Sequence, residues 1–379
     1  MRQRNRPMRL QDLRDGRVYA TAGRTVYRER PDGEFERRGT VPLAERGLDG
    51  VRERVLTSRP WTDLLEPLVG AYPTVNCWAL SGDRLLATAG SHVFASADGG
   101  RTWDRTHSLP PSSPPMGVLP TAVCHREGET YLAEYPLDEA ATARVLRSTD
   151  FGRSWEPFLE LPRVRHAHSV AVDPYEGDLW VTTGDADDES WILRVGDGAG
   201  AVEVVGGGSQ KWRAVELAFT RDAIVWGMDC AYADEIRLFA LPRTELAGPG
   251  PTPEQVGTAE SSVYYAATVD VEGTERVVLS TASEVGEDRT APGDGATADE
   301  RATVVTASAA DGFAEWTTLA SYDRRPALAD RTGDPPRIPT SNAYVFLASD
   351  PDRGLLWNPF NTAADRGAIQ RVAPDVFPS

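Results

Sequence analysis

Lysine is almost absent from this chain. Lys211 is the single one in a Lys and Arg total of 40 over 379 residues, and acids outnumber bases to a net charge of −17. A surface this acidic repels phosphate backbones and anionic lipid, which argues against a nucleic-acid binder and against a membrane-surface protein. It suits the cytosol of a salt-accumulating, halophilic cell, although genomic base composition also exchanges lysine for arginine. Cysteine is scarce and odd in number. Cys77, Cys124 and Cys230 share no C-x-x-C spacing, so neither a disulfide framework nor a thiolate metal site is expected. No apolar run approaches the length of a membrane span, and the basic start MRQRNRPMRLQDLRDG leads into no apolar stretch. The expectation is a cytoplasmic, monomeric protein with reduced thiols.

What the chain does contain is punctuation. Its 34 Gly and 28 Pro are scattered rather than gathered into one tract, as many short strands require. Two of the turns repeat one eight-residue signature, Ser-x-Asp-x-Gly-x-Thr/Ser-Trp, as SADGGRTW (Ser96 to Trp103) and STDFGRSW (Ser148 to Trp155). This is the Asp-box pattern. Each copy lies between alternating apolar runs and reads as a hairpin turn. Asp98 and Asp150 can accept hydrogen bonds from their own turns, helped by the hydroxyls of Ser96 and Ser148. Gly100 and Gly152 supply backbone freedom, while Trp103 and Trp155 offer apolar plates to bury between sheets. The motif is structural.

A unit recurring about every 50 residues cannot bury its faces alone, which points to radially packed blades. Six segments carry comparable second strands: RVYATAG (17–23), RLLATAG (84–90), TYLAEY (130–135), DLWVTTGD (178–185), AIVWGMD (223–229) and VVLSTASE (277–284). A seventh set, NAYVFLASD, GLLWNPF and AIQRV, ends the repeat between Asn342 and Val372 and is expected to pair with N-terminal sequence, closing the ring. The fold class is therefore all-β, a single seven-bladed β-propeller of four-stranded antiparallel blades over 1–379. Six blades is the alternative, if the first and last segments share one. Residues 43–69 break strand alternation and read as a partly helical insertion. Residues 285–302 read as an acidic flexible loop.

Topology then locates a site. In a four-stranded antiparallel blade, the ends of second strands and the starts of first strands lie on the face opposite the third-to-fourth turns, around the mouth of the channel. Four second strands end in Glu134, Asp185, Asp229 and Glu284. First-strand starts add His166 and His168, Gln210 and Arg213, with Tyr135 beside them. His166 and His168, two apart on a strand, share a face. Such groups suit catalysis: Glu134 and Asp185 as the working pair, Glu284 as a third acid, and Tyr135, His166, His168, Gln210, Arg213 and Asp229 as ligand-binding groups. A divalent metal on His166, His168 and one acid is a variant. The expected ligand is a carbohydrate or another small molecule.

The two boxes resemble those of sialidases and other Asp-box (BNR-repeat) propellers. The stretches LAEY (132–135), RHAHSVAVDPYEGDLWVTTGDADDESWILR (165–194), GSQKWRAVELAFT (208–220) and VWGMD (225–229) are similar to a group of glycosyl-hydrolase-like BNR-repeat proteins. The resemblance covers about residues 78 to 285. It implies a carbohydrate-active propeller, and in a sialidase it would bring three arginines, a Tyr/Glu pair and an Asp acid. Arg213 and Arg165 stand at first-strand starts, and PRIP occurs only at 336–339. Asp-box propellers also serve as binding scaffolds, so a non-catalytic glycan- or protein-binding propeller is the alternative.

Overall fold

Short apolar runs separated by tight turns fold here as antiparallel hairpins, and the turn residues show why. Asp15-Gly16, Glu127-Gly128 and Glu272-Gly273 each join a first strand to a second with both φ angles positive, the mirror-image turn whose twist matches that of the strands it connects. The structure is a computed structural model. It describes residues 7–378 except 44, 46, 59–60, 112–114, 139–140, 197–201, 232, 249, 285–300 and 333–339.

The first sheet takes β1 (Arg9–Arg14), β2 (Arg17–Ala22), β3 (Thr25–Glu29) and β4 (Phe35–Thr40) in sequence order. Helices α1 (Gly47–Thr57) and α2 (Trp61–Val69) follow. The second sheet is β5 (Asn76–Ala79), β6 (Leu85–Ala89), β7 (His92–Ser96) and β8 (Asp104–Ser108). The third is β9 (Val123–Arg126), β10 (Glu129–Ala133), β11 (Ala143–Ser148) and β12 (Glu156–Leu161). The fourth is β13 (His166–Val172), β14 (Leu179–Gly184), β15 (Trp191–Val195) and β16 (Val202–Gly207). The fifth is β17 (Ala218–Phe219), β18 (Ala223–Gly227), β19 (Ile236–Pro242) and β20 (Glu254–Ala259).

The sixth sheet is larger. It contains β21 (Val263–Val271), β22 (Thr274–Ser283), β23 (Ala302–Ser308) and β24 (Thr317–Tyr322), and then continues into β25 (Ala343–Asp350), β26 (Gly354–Phe360) and β27 (Gln370–Arg371). The join between the two parts is slight, pairing only Ala282 with Tyr344 and Ser283 with Ala343. Ala302, expected in the acidic loop, already belongs to β23; most of that loop lies outside the described residues.

Burial falls off at the fourth strands. Every residue of β6, β14 and β18 is buried, whereas the fourth strands β8, β12 and β20 are mostly exposed and carry charged side chains that discourage edge pairing. First strands meet one another at the centre, as β1 with β5, β9 with β13, and β17 with β21. Four apolar clusters pass from sheet to sheet around the ring, and one of them joins Leu10 and Val18 of the first sheet to Val345 and Leu356 of the last strands. The ring therefore closes by packing. The expected strand pairing between the chain ends does not form among the described residues: β1 pairs with β2. The Asn358 side chain bridges instead, with Oδ1 accepting from Leu10 N at 2.9 Å and Nδ2 donating to Met8 O at 3.2 Å.

Both octapeptide turns join third to fourth strands, β7 to β8 and β11 to β12. Asp150 Oδ1 accepts from the backbone of Arg153 at 3.0 Å and of Ser154 at 2.8 Å, and Ser148 Oγ accepts from Gly152 N at 2.8 Å. Gly152 has φ +80, and a Cβ there would lie 2.5 Å from Leu86 of the neighbouring sheet. Only glycine allows both the turn and the approach. The decayed copy at Asp311 keeps the packing function, since Trp316 Nε1 donates to Val256 O of the preceding sheet at 3.0 Å. Among the described residues, no helix is long and apolar enough to cross a membrane.

Candidate functional site

On the face opposite these turns, the ends of second strands and starts of first strands surround a cavity of about 720 Å³. Asp185 follows β14, Asp229 lies just beyond β18, and Glu284 follows β22: three acids at equivalent places on three consecutive sheets, all lining the cavity. Tyr135, His168 and Arg213 line it too, as the topology requires.

Glu134 does not. Its side chain is fully buried outside the cavity lining and makes a two-pronged ion pair with Arg144, Nε to Oε2 at 2.9 Å and Nη2 to Oε1 at 2.8 Å. The reason is strand alternation: Tyr135 reaches the cavity, so the preceding residue turns to the other side. The cavity therefore brings Asp185 into its lining without Glu134, the other half of the expected working pair.

Asp185 is the hub of the cavity wall. Arg165 contacts its Oδ2, and Arg213 Nη2 approaches Oδ1 at 3.1 Å while also reaching Asp229 Oδ2 at 3.3 Å. His166 Nε2 lies 3.2 Å from Oδ2 and His168 Nε2 lies 3.5 Å from Oδ1. Gln210 stays behind the wall and fixes the loop, with Nε2 donating to Asp185 O and Asp187 Oδ1, each at 2.9 Å. Tyr135 stacks on His166 with ring centroids 3.8 Å apart.

Burial drives His166 down to a pKa of about 2, reinforced by His168 and Arg165. Burial likewise lowers His168 to about 4, against the opposing pull of Asp229. Both rings are therefore neutral near pH 7. The donor atoms of His166, His168 and Asp185 lie within 4.8 Å of one another, the grouping in this wall that could hold a metal.

The opposite wall is aromatic. Tyr264, Tyr265, Tyr344 and Phe360 line it, and the Tyr264 hydroxyl donates to Glu284 Oε1 at 2.6 Å while accepting from Asn342 Nδ2 at 3.0 Å. Ser262 Oγ donates to Glu284 Oε2 at 3.1 Å. Arg9 completes this side, with Nη1 held by Asn76 Oδ1 at 2.8 Å. Arg9, Tyr264 and Tyr344 lie at the starts of the first strands of the first, sixth and last segments, and Phe360 ends a second strand, so the topological reasoning that found His168 also reaches them.

Glu216, just before β17, was also missed. It accepts from Ala266 N at 2.8 Å, and desolvation among the inner strands raises its pKa to about 8 despite that bond.

If the mouth were purely structural, its acids would be closed by arginines and no space would remain. Asp185 and Asp229 are indeed paired with arginines, yet the cavity is open.

No protein-family model and no curated protein sequence matches the chain. Solved structures do. A GH74 xyloglucanase from Xanthomonas campestris is 14% identical with a TM-score of 0.50, over 93% of this chain and 50% of that one. An ancestral GH74 enzyme is 11% identical with a TM-score of 0.52, over 93% and 47%. A YCF48 structure bound to D1 peptide is 11% identical with a TM-score of 0.41, over 79% and 89%. This chain thus spans about half the length of the two GH74 proteins. At such identities the likeness shows the fold, a β-propeller of the kind found in those glycoside hydrolases.

Proposed function

We propose that the mouth cavity binds carbohydrate and that the chain is a glycoside-hydrolase-like propeller acting on a glycosidic bond there. The observation that carries this reading is the meeting, in one cavity, of three acids from equivalent positions with a wall of tyrosines. Aromatic rings suit the apolar faces of sugar rings, and carboxylates suit their hydroxyls and the acid–base steps of hydrolysis.

Asp185 and Asp229 share Arg213 Nη2, at 3.1 and 3.3 Å. Their nearest oxygens are therefore closer than the roughly 6.5–9.5 Å between carboxyls that an inverting pair needs for its water. Asp185 meets two arginines and Asp229 shares one of them, so we assign the work on a substrate to Asp229 and Glu284. Tyr264, hydrogen-bonded to Glu284, has the arrangement of a nucleophile beside its base and supplies the Tyr/Glu pair of the sialidase resemblance. The arginine pairing of Asp185 favours a second reading, glycan binding without turnover.

We also read the ring as seven blades. The slight β22–β25 join supports dividing the large sheet into a four-stranded and a three-stranded blade, the latter packed on β1.

The test is calorimetric titration and reducing-sugar assay with xyloglucan fragments, other neutral oligosaccharides and sialylated or uronate-containing ones. Saturable binding with turnover, lowered at least about 100-fold in Asp229→Asn, supports hydrolysis. Binding alone supports the second reading, and no binding of any class overturns both.

A further inference from the structure

We propose that His166, His168 and Asp185 form a divalent transition-metal site in the cavity wall. The site stands independently of glycan turnover, because it is defined by its donors alone. Both Nε2 atoms face the two oxygens of one carboxylate, at 3.2 and 3.5 Å, and the three donors lie within 4.8 Å of each other. Two imidazoles and a carboxylate suit Zn²⁺, Co²⁺ or Ni²⁺, and three protein ligands leave positions open toward the cavity.

The surroundings set up each ligand. His168 Nδ1 lies 3.1 Å from the Ala214 carbonyl, so the ring donates there and keeps its lone pair on Nε2, the outer-shell bond typical of a metal-binding histidine. The pairing of β13 with β14 shifts register between Ala167 and Ser169. His168 falls at this irregularity, and its Nε2 faces the same carboxylate as that of His166.

His166 supplies an independent sign of a missing partner. It is 1% exposed, and neither ring nitrogen makes a well-formed hydrogen bond among the described residues: Nε2 lies 3.2 Å from Asp185 Oδ2, and the backbone of Pro136 is another polar neighbour. A buried imidazole whose nitrogens lack well-formed hydrogen bonds is uncommon, and a cation between Nε2 and the carboxylate would complete its bonding.

Arg165 and Arg213 compete for Asp185, and their situations differ. Arg213 also holds Asp229 and the Asp185 carbonyl, the latter at 3.0 Å, so it stays paired when a cation takes the carboxylate. Arg165, 29% exposed at its side chain, has room to swing toward solvent. Metal binding therefore displaces Arg165 from Asp185.

The test uses the full chain after chelator treatment. Co²⁺ is titrated by visible absorption, and Zn²⁺ affinity is measured by competition with a chromophoric chelator. The expected result is one equivalent bound, affinity lowered at least about 100-fold by His168→Ala, and affinity raised severalfold by Arg165→Gln. The arginine variant keeps the proposal open to refutation if a histidine variant misfolds. Absence of stoichiometric binding, or an Arg165→Gln affinity no tighter than that of the parent chain, overturns it.

Discussion

At the octapeptide turns both oxygens of Asp98 and of Asp150 meet donors, whereas around Asp185 the buried polar atoms without a hydrogen bond among the described residues include both nitrogens of His166, Nε of Arg165 and Oε1 of Gln210. These two sets lie on opposite faces of one ring. The turns complete their own hydrogen bonding; the mouth holds groups whose bonding the proposed metal and ligand would complete. Buried polar atoms without a well-formed hydrogen bond among the described residues occur elsewhere too, as at Tyr19 and Trp180, and what distinguishes the mouth is that several of them gather around one carboxylate beside an open cavity.

Substitutions on the packing side should cost stability and leave the mouth intact. Trp155→Ala should lower unfolding free energy by about 3 kcal/mol, the low end for a large aromatic because the ring is only half-buried, with no effect on ligand affinity. Urea denaturation measures the first effect and calorimetry the second. Glu134→Gln tests the boundary between the two sets. It leaves Arg144 facing a neutral partner and should cost roughly 2–3 kcal/mol, less than a fully buried pair because Arg144 is 36% exposed. Turnover per folded molecule should be unchanged; its loss would return Glu134 to the catalytic set.

The smallest effect is a contrast in pH. At Asp98 desolvation acts to raise the pKa, but hydrogen bonds from Thr102, Ser96 and Arg101 prevail and push it down to about 2 from 3.8. Its contribution is present above pH 3.8 and is lost as pH falls through about 2. Glu216 is shifted the other way, from 4.5 to about 8, so its contribution is full below pH 4.5 and is lost as pH rises through about 8. Thermal unfolding of Asp98→Asn should therefore fall below the parent at neutral pH and converge with it in strong acid. Glu216→Gln, which keeps an acceptor for Ala266 N, should exceed the parent increasingly between pH 5 and about 8. Matching pH profiles in the two variants would remove the contrast.

The packing side was the more legible from sequence. The six second strands and both turns fall where the repeat places them, because each is fixed by local chemistry: an apolar run, a glycine of positive φ, an aspartate facing its own backbone. The mouth was legible only as far as topology was applied evenly. Asp185, Asp229, Glu284, His168 and Arg213 were reached, while Tyr264, Tyr344 and Arg9 sit at the same kind of position and were passed over. Glu134 lies outside the cavity lining for a local reason, since it and Tyr135 are neighbours on extended chain and do not both face one cavity. Glu216 carried no sequence signal, because desolvation among inner strands exists only once the ring is closed.

The division between the two faces is tested most directly by measuring oligosaccharide binding and thermal unfolding together on Glu284→Gln and Asp150→Ala. The predicted result is a binding or turnover loss of at least about 100-fold in Glu284→Gln with a melting temperature close to the parent. In Asp150→Ala, stability should drop by about 1 kcal/mol with binding retained. A turn variant that alters binding while the mouth variant leaves it untouched would contradict the assignment of function to the mouth.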